Sequence, residues 1–225
     1  MQTFHLFVVL FAATMLVRHG RRAALFLAPS LVRARGDPAA PPATPALARA
    51  GDELARLGFA RLGARRESGA LGGLDLASDA WANEPEGAYA DVFAHALRGG
   101  RGPWVYFLSP FPDGAAVLTA NHPRLARSTD RLRTGGLPGA TLEATWAAHR
   151  AAVGRFAARH GAPWARADLS AREEVARAWY RGPGRPELRR LFLVNFLNVL
   201  VAVVIGVASV RALARALLTT SGGIP

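Results

Sequence analysis

Cysteine is absent from the 225 residues, and so is lysine. The first absence excludes disulfides, thiolate metal sites, iron–sulfur clusters and thiol nucleophiles. It leaves the redox compartment open. The second makes all 28 basic side chains arginine and removes the lysine that a phosphate-binding P-loop needs. Acidic residues are few, 16 against 28, which gives a formal net charge of +12. Asparagine occurs four times and alanine 46 times. An apolar share of 51% excludes a disordered chain, although alanine buries little surface. Guanidinium forks match phosphate oxygens, so the arginines could serve an anionic partner. Alanine, glycine and proline are inflated alongside them, which points instead to genomic base composition. Where the arginines lie is therefore more informative than their number.

Two long apolar runs bracket the chain. Residues 2–17 carry no formal charge and end at Arg18. As a helix this run reaches about 24 Å, short of the roughly 30 Å hydrocarbon core but enough for a thinned bilayer. A cleaved signal peptide would carry its positive charge before the run. Here Arg18, His19, Arg21 and Arg22 follow it, so 2–17 reads as an uncleaved anchor. Residues 191–210 are also free of charge and long enough to span, at about 30 Å. Pro186 suits a first helical turn, and a transmembrane helix with an interfacial extension is expected over 187–218. Eleven arginines lie on the inner flanks: Arg18, Arg21, Arg22, Arg33, Arg35, Arg172, Arg177, Arg181, Arg185, Arg189 and Arg190. Only Arg211 and Arg215 lie outside. The positive-inside rule then puts the middle of the chain in the cytoplasm of a bacterial inner membrane. Arg18, Arg21, Arg22, Arg189 and Arg190 would meet anionic lipid headgroups. Asn195, Asn198, Ala202, Gly206 and Ser209 recur on one face of the second helix. Such a polar, small-residue stripe predicts a helix–helix interface, either in a homo-oligomer or against the first anchor.

Between the anchors, 18–45 reads as a basic interfacial segment and a Pro/Ala linker. A soluble domain is expected over 46–185. Leu47, Ala50, Leu54 and Leu57 have helical spacing. Residues 63–73 read as a loop or weak strand. Strands are expected near 71–80, 87–95, 104–109 and 115–121. Phe111-Pro-Asp-Gly114 is a strong turn signal for a hairpin between the last two. Residues 122–139, with two prolines and three glycines, read as a mobile surface loop. Thr141 should cap a helix running to about His160, with Leu142, Trp146, His149, Val153 and Phe156 along its apolar stripe. Ser170 and Glu173 suggest a capping box for a second helix. Strands followed by helices give an α+β class. The expected form is a small antiparallel sheet of three to four strands, with helices on one face, flanked by two transmembrane helices.

Signals for chemistry are sparse. The six histidines form no metal-binding pair at helical spacing, so no metal or cofactor is expected. His149, on an apolar stripe, reads as a hydrogen-bonded histidine at the edge of the core. A hydrolase would combine Asp91 with His95 or His122, and Ser109 or Asp113 nearby, but no GxSxG elbow is present. Arg124, Arg127, Arg131 and Arg133 with Trp104 and Tyr106 could face nucleic acid only if the aromatics were exposed for stacking. A tethered domain meets lipid first, so nucleic acid is not the expected partner.

Residues 86–93, 102–121 and 136–143 together resemble uncharacterised membrane-anchored proteins of high-GC bacteria, over about residues 50–180. The resemblance implies no activity and no catalytic residues. The expectation is a membrane-anchored accessory or interaction protein, with the histidine hydrolase as the alternative.

Overall fold

The computed structural model describes residues 2–37, 44–69, 72, 74–93 and 103–221. They form two compact units. One holds Met1–Val32, Gly69–Leu74 and Arg185–Pro225; the other holds Arg33–Ser68 and Asp75–Gly184.

The first unit is a helical hairpin of α1 (Gln2–Leu27) and α5 (Arg185–Ser221). The pairing is antiparallel: His19 meets Asn195, and Gly206 faces Ala12. α1 runs ten residues beyond the 2–17 anchor, straight through the arginine cluster. Arginine, alanine and leucine are good helix formers, and the chain turns only at Pro29–Leu31, a single 3-10 turn. At 26 residues α1 is about 39 Å long, so the shortness of its apolar run does not limit the helix. Both helices are long and apolar enough to cross a membrane. They are not the core helices of a globular fold, because their large side chains face outward: Phe7 is 68% exposed, Val17 78%, Val194 65% and Val204 60%.

The second unit corrects the expected fold. Its sheet has eight strands, not three or four: β1 (Arg33–Gly36), β2 (Ala60–Ser68), β3 (Asp75–Asn83), β4 (Ala88–Phe93), β5 (Trp104–Pro110), β6 (Ala116–Ala120), β7 (Arg127–Thr129) and β8 (Leu132–Gly136). Their order is β1-β2-β3-β4-β5-β6-β8-β7. β1 to β6 form an antiparallel meander, β8 joins β6 in parallel, and β7 closes the edge antiparallel to β8. The class remains α+β, but the sheet is mixed. The segment expected to be a surface loop, 122–139, supplies β7 and β8. The basic segment supplies β1, and the weak strand is the nine-residue β2.

Helices cover both faces of this sheet, not one. α2 (Pro45–Arg56) and α3 (Leu142–His160) pack on the first face, through Leu54, Trp146, Val92, Val105 and Phe107. α4 (Leu169–Arg181) packs on the second, through Val175 and Trp179 against Tyr89, Tyr106, Leu108 and Leu118. Burial on both faces is why β6, AVLTA, is apolar at almost every position and buried at all of them. Thr44 and Thr141 cap α2 and α3 by accepting from the Leu47 and Ala144 amides. α4 starts earlier than expected. Asp168 caps it by accepting from the Ser170 amide, and Glu173 is drawn away to Gly36 and Arg177.

Candidate functional site

The asparagine and small-residue stripe of α5 lies against α1. Ala202 and Ser209 are buried, and a Cβ on Gly206 would stand 3.2 Å from Ala12. Asn195 Oδ1 lies 2.9 Å from His19 Nδ1, and Phe196 stacks on Phe26 with ring centroids 4.4 Å apart. Asn198 is half-buried on the same face. Arg18, Arg21, Arg22, Arg189 and Arg190 are all exposed at the same end of the hairpin. Arg172, counted with them on sequence grounds, is only 1% exposed and belongs to the core of the other unit. Ten flanking arginines against two leave the sign of the charge asymmetry unchanged.

On the α4 face of the sheet the buried polar residues include a charged cluster. Asp91 on β4 is fully buried between Arg65 of β2 and Arg172 of α4. Arg65 also pairs with Glu67, and Glu67 accepts from the Tyr180 hydroxyl. The Tyr106 hydroxyl accepts from Arg65 at 3.2 Å and from Arg172 at 2.9 Å. Arg172 lies over the ring of Tyr89, 5.5 Å from its centroid. Burial pushes the Asp91 carboxyl up, but the Arg172 and Arg65 guanidinium groups outweigh it and hold the group below its ordinary value. A carboxylate held ionised by two cations is a poor proton acceptor. The geometry makes Asp91 a clamp that joins β2, β4 and α4.

The histidines expected to work with Asp91 are not brought to it. His95 lies outside the described residues. His122 stacks on Trp104 at 4.3 Å and bonds through Nδ1 to the Pro123 carbonyl at 3.2 Å. Burial pushes it down to about 4, which keeps it neutral. Asp113 holds its turn through the Ala115 amide and pairs with His160 at 2.8 Å.

The α3 face carries a second buried polar group, and it is neutral. Ser109 of β5 and Thr119 of β6 lie diagonally across two paired strands. His149 of α3 reaches down between them. Its Nε2 is 3.1 Å from Ser109 Oγ, and its Nδ1 is 3.1 Å from Thr119 Oγ1. The ring stacks on Trp146 at 5.5 Å and packs beside Phe107 at 5.8 Å. Burial alone pushes His149 down to about 3, so it is a neutral imidazole. One ring nitrogen donates and the other accepts, and a hydroxyl can meet either need. Ser109 was a candidate nucleophile and His149 a core-edge histidine. That they meet was not readable, because they stand forty residues apart with only a shared face to connect them. A Ser–His pair is the beginning of acyl-transfer machinery. Here both residues are buried, and the second ring nitrogen of His149 meets the Thr119 hydroxyl, not a carboxylate. The arrangement ties α3 to the sheet without burying a charge.

Above this trio lies an open cavity of about 270 Å³. It is bounded by Trp146, Arg150, Val153 and Gly154 of α3, by Pro85 and Glu86 of the β3–β4 turn, and by Ala162 and Pro163. Beyond this geometry, comparison adds no relative: no protein-family model, no curated protein and no solved structure matches the chain.

Proposed function

We propose that this is a membrane-anchored accessory or interaction protein of the bacterial inner membrane. Its α+β unit lies in the cytoplasm and acts by binding, not by catalysis. The observation that carries the reading is the hairpin surface. Two antiparallel helices pack small and polar residues inward and turn Phe7, Val17, Val194 and Val204 outward. In water such a surface would be a large aggregation-prone patch. In lipid it is the solvated side. The arginines support the cytoplasmic orientation, since they crowd the end of the hairpin from which the α+β unit departs in sequence. Arg18, Arg21, Arg22, Arg189 and Arg190 then contact anionic headgroups. The α5 stripe supports packing within one chain. Self-association through α5 would use its outer apolar face. The resemblance to membrane-anchored proteins of high-GC bacteria accords with this reading.

The hydrolase alternative, His95 or His122 with Asp91, is disfavoured because Arg65 and Arg172 occupy the Asp91 carboxylate and His122 stacks on Trp104 instead. The test is extraction of isolated membranes with alkaline carbonate. The chain should stay in the pellet and leave only with detergent. Release by carbonate would remove the membrane-spanning reading.

A further inference from the structure

The cavity above Ser109 and His149 has features that the anchoring role does not use. Its walls are fixed. Gly87 ends the β3–β4 turn at φ +60, and a Cβ there would come within 2.5 Å of the Pro163 carbonyl oxygen. Only glycine lets the turn close against the segment after α3. That segment is pinned three more times. The Trp164 amide donates to the Pro110 carbonyl, the Arg166 amide to the Tyr89 hydroxyl, and the Ala167 amide to Glu84.

The two walls carry opposite charges that do not neutralise each other. Arg150 stands on α3 with its guanidinium 5.8 Å from the Trp146 ring centroid. Glu86 stands on the opposing turn. Neither side chain has an ion-pair partner among the described residues. Between them the lining combines the apolar Trp146, Val153 and Pro163 with the polar Ser109 and His149. Gly154 lies mid-helix on this wall, and a Cβ there would meet nothing within 4 Å. A glycine inside a helix costs about 1 kcal/mol relative to alanine, and no neighbour in the fold requires this one. Its effect is to leave the cavity open.

A cation and an anion lining one small cavity match a molecule with the reverse charges. The volume of about 270 Å³ is below the ~300–1,000 Å³ typical of drug-sized ligands, so the molecule is of amino-acid size. We propose that this cavity binds a free zwitterionic amino acid with an apolar side chain. Arg150 takes the carboxylate and Glu86 the ammonium group. The side chain rests on Trp146, Val153 and Pro163. Cation–π contact with Trp146 pre-positions the guanidinium, which lowers the ordering cost of binding. This goes beyond the anchoring role and stands without it.

The test uses the full chain in detergent micelles, with L-leucine as the probe and calorimetry as the readout. Saturable binding in the millimolar range is expected. L-leucinamide lacks the carboxylate and 4-methylpentanoate lacks the ammonium group. Each should bind at least about tenfold more weakly, the effect of losing roughly 1.4 kcal/mol. Arg150→Gln should abolish the preference for L-leucine over L-leucinamide, and Glu86→Gln the preference over 4-methylpentanoate. Both are surface changes that leave the melting temperature in place. Gly154→Leu should fill the cavity and eliminate binding while holding or raising the melting temperature. Absence of saturable binding to the parent chain would overturn the proposal. So would equal affinity for the three compounds, or binding unaltered in Gly154→Leu.

Discussion

In the helical hairpin the buried positions along the apolar band are mostly small, Ala12, Ala202 and Ser209 beside Phe192, and large ones such as Phe7, Val17, Val194 and Val204 are exposed. In the α+β unit the buried side chains are Tyr89, Phe107, Val117 and Trp146, and the exposed ones are largely polar. The two halves of one chain are built with opposite sides out. Water explains the second, since burying large apolar surface drives its assembly. On the proposed membrane reading, lipid explains the first. Between helices in hydrocarbon there is no hydrophobic gain, so small residues that allow close approach and amides that find partners hold the pair together. The change of rule falls where the arginines stand. Around the arginines the hairpin again buries large residues, Leu25, Leu188 and Phe192.

The contrast breaks most visibly at the buried charges of the α+β unit. Asp91→Ala leaves Arg65 and Arg172 facing each other without their shared carboxylate. It should cost about 3–5 kcal/mol and lower the thermal midpoint of the solubilised chain sharply. A loss no larger than that of an exposed substitution would mean the cluster is not buried as described. In the hairpin the corresponding test is to place a charge on the outer face. Val204→Arg is harmless if that face meets water, within about 0.5 kcal/mol. In the bilayer it costs about 2.5–3.5 kcal/mol and should reduce the membrane-inserted fraction in pulse-labelled cells. Normal insertion of Val204→Arg would erase the contrast.

A smaller effect distinguishes the two faces of the sheet. His149 titrates at about 3 when buried and near 6.5 when released. Between these values the unfolded chain holds the extra proton, so His149 lowers stability as the pH falls from about 6.5 towards 3. The slope is at most about 1.4 kcal/mol per pH unit for one group. Asp91 acts in the same direction but only below its ordinary value of 3.8, because its folded state is the ionised one. Replacing His149 by Gln should therefore roughly halve the slope of the thermal midpoint between about pH 6 and pH 5, because His122, displaced the same way, contributes a similar one. An unchanged slope would show that His149 is not neutral in the fold.

These features were unevenly legible in the sequence. Phe111–Gly114 makes its turn because Asp113 bonds the Ala115 amide and Gly114 takes φ +82, all within a few residues. The apolar runs at 2–17 and 191–210 were readable for the same local reason. β2 was not. ARLGARRES looks like solvated loop, yet Arg65 is buried because Asp91 and Tyr106, 26 and 41 positions away, pair with it together with Glu67. Arg172 looked like a topology marker because its partner is equally remote. β7 and β8 are not legible in the sequence because β8 pairs in parallel with β6, and no turn signal announces a parallel partner. Helices on both faces followed from the same blind spot. Strands that bury both sides lose the alternation that would have shown two faces.

The hairpin is proposed to cross the membrane with the α+β unit on the cytoplasmic side. Paired reporter fusions at Ser128 and at Leu218 test this most directly, one reporter active only in the cytoplasm and the other only outside it. The fusion at Ser128 should light the cytoplasmic reporter and the fusion at Leu218 the external one. External activity at Ser128, or the same side for both positions, would contradict it.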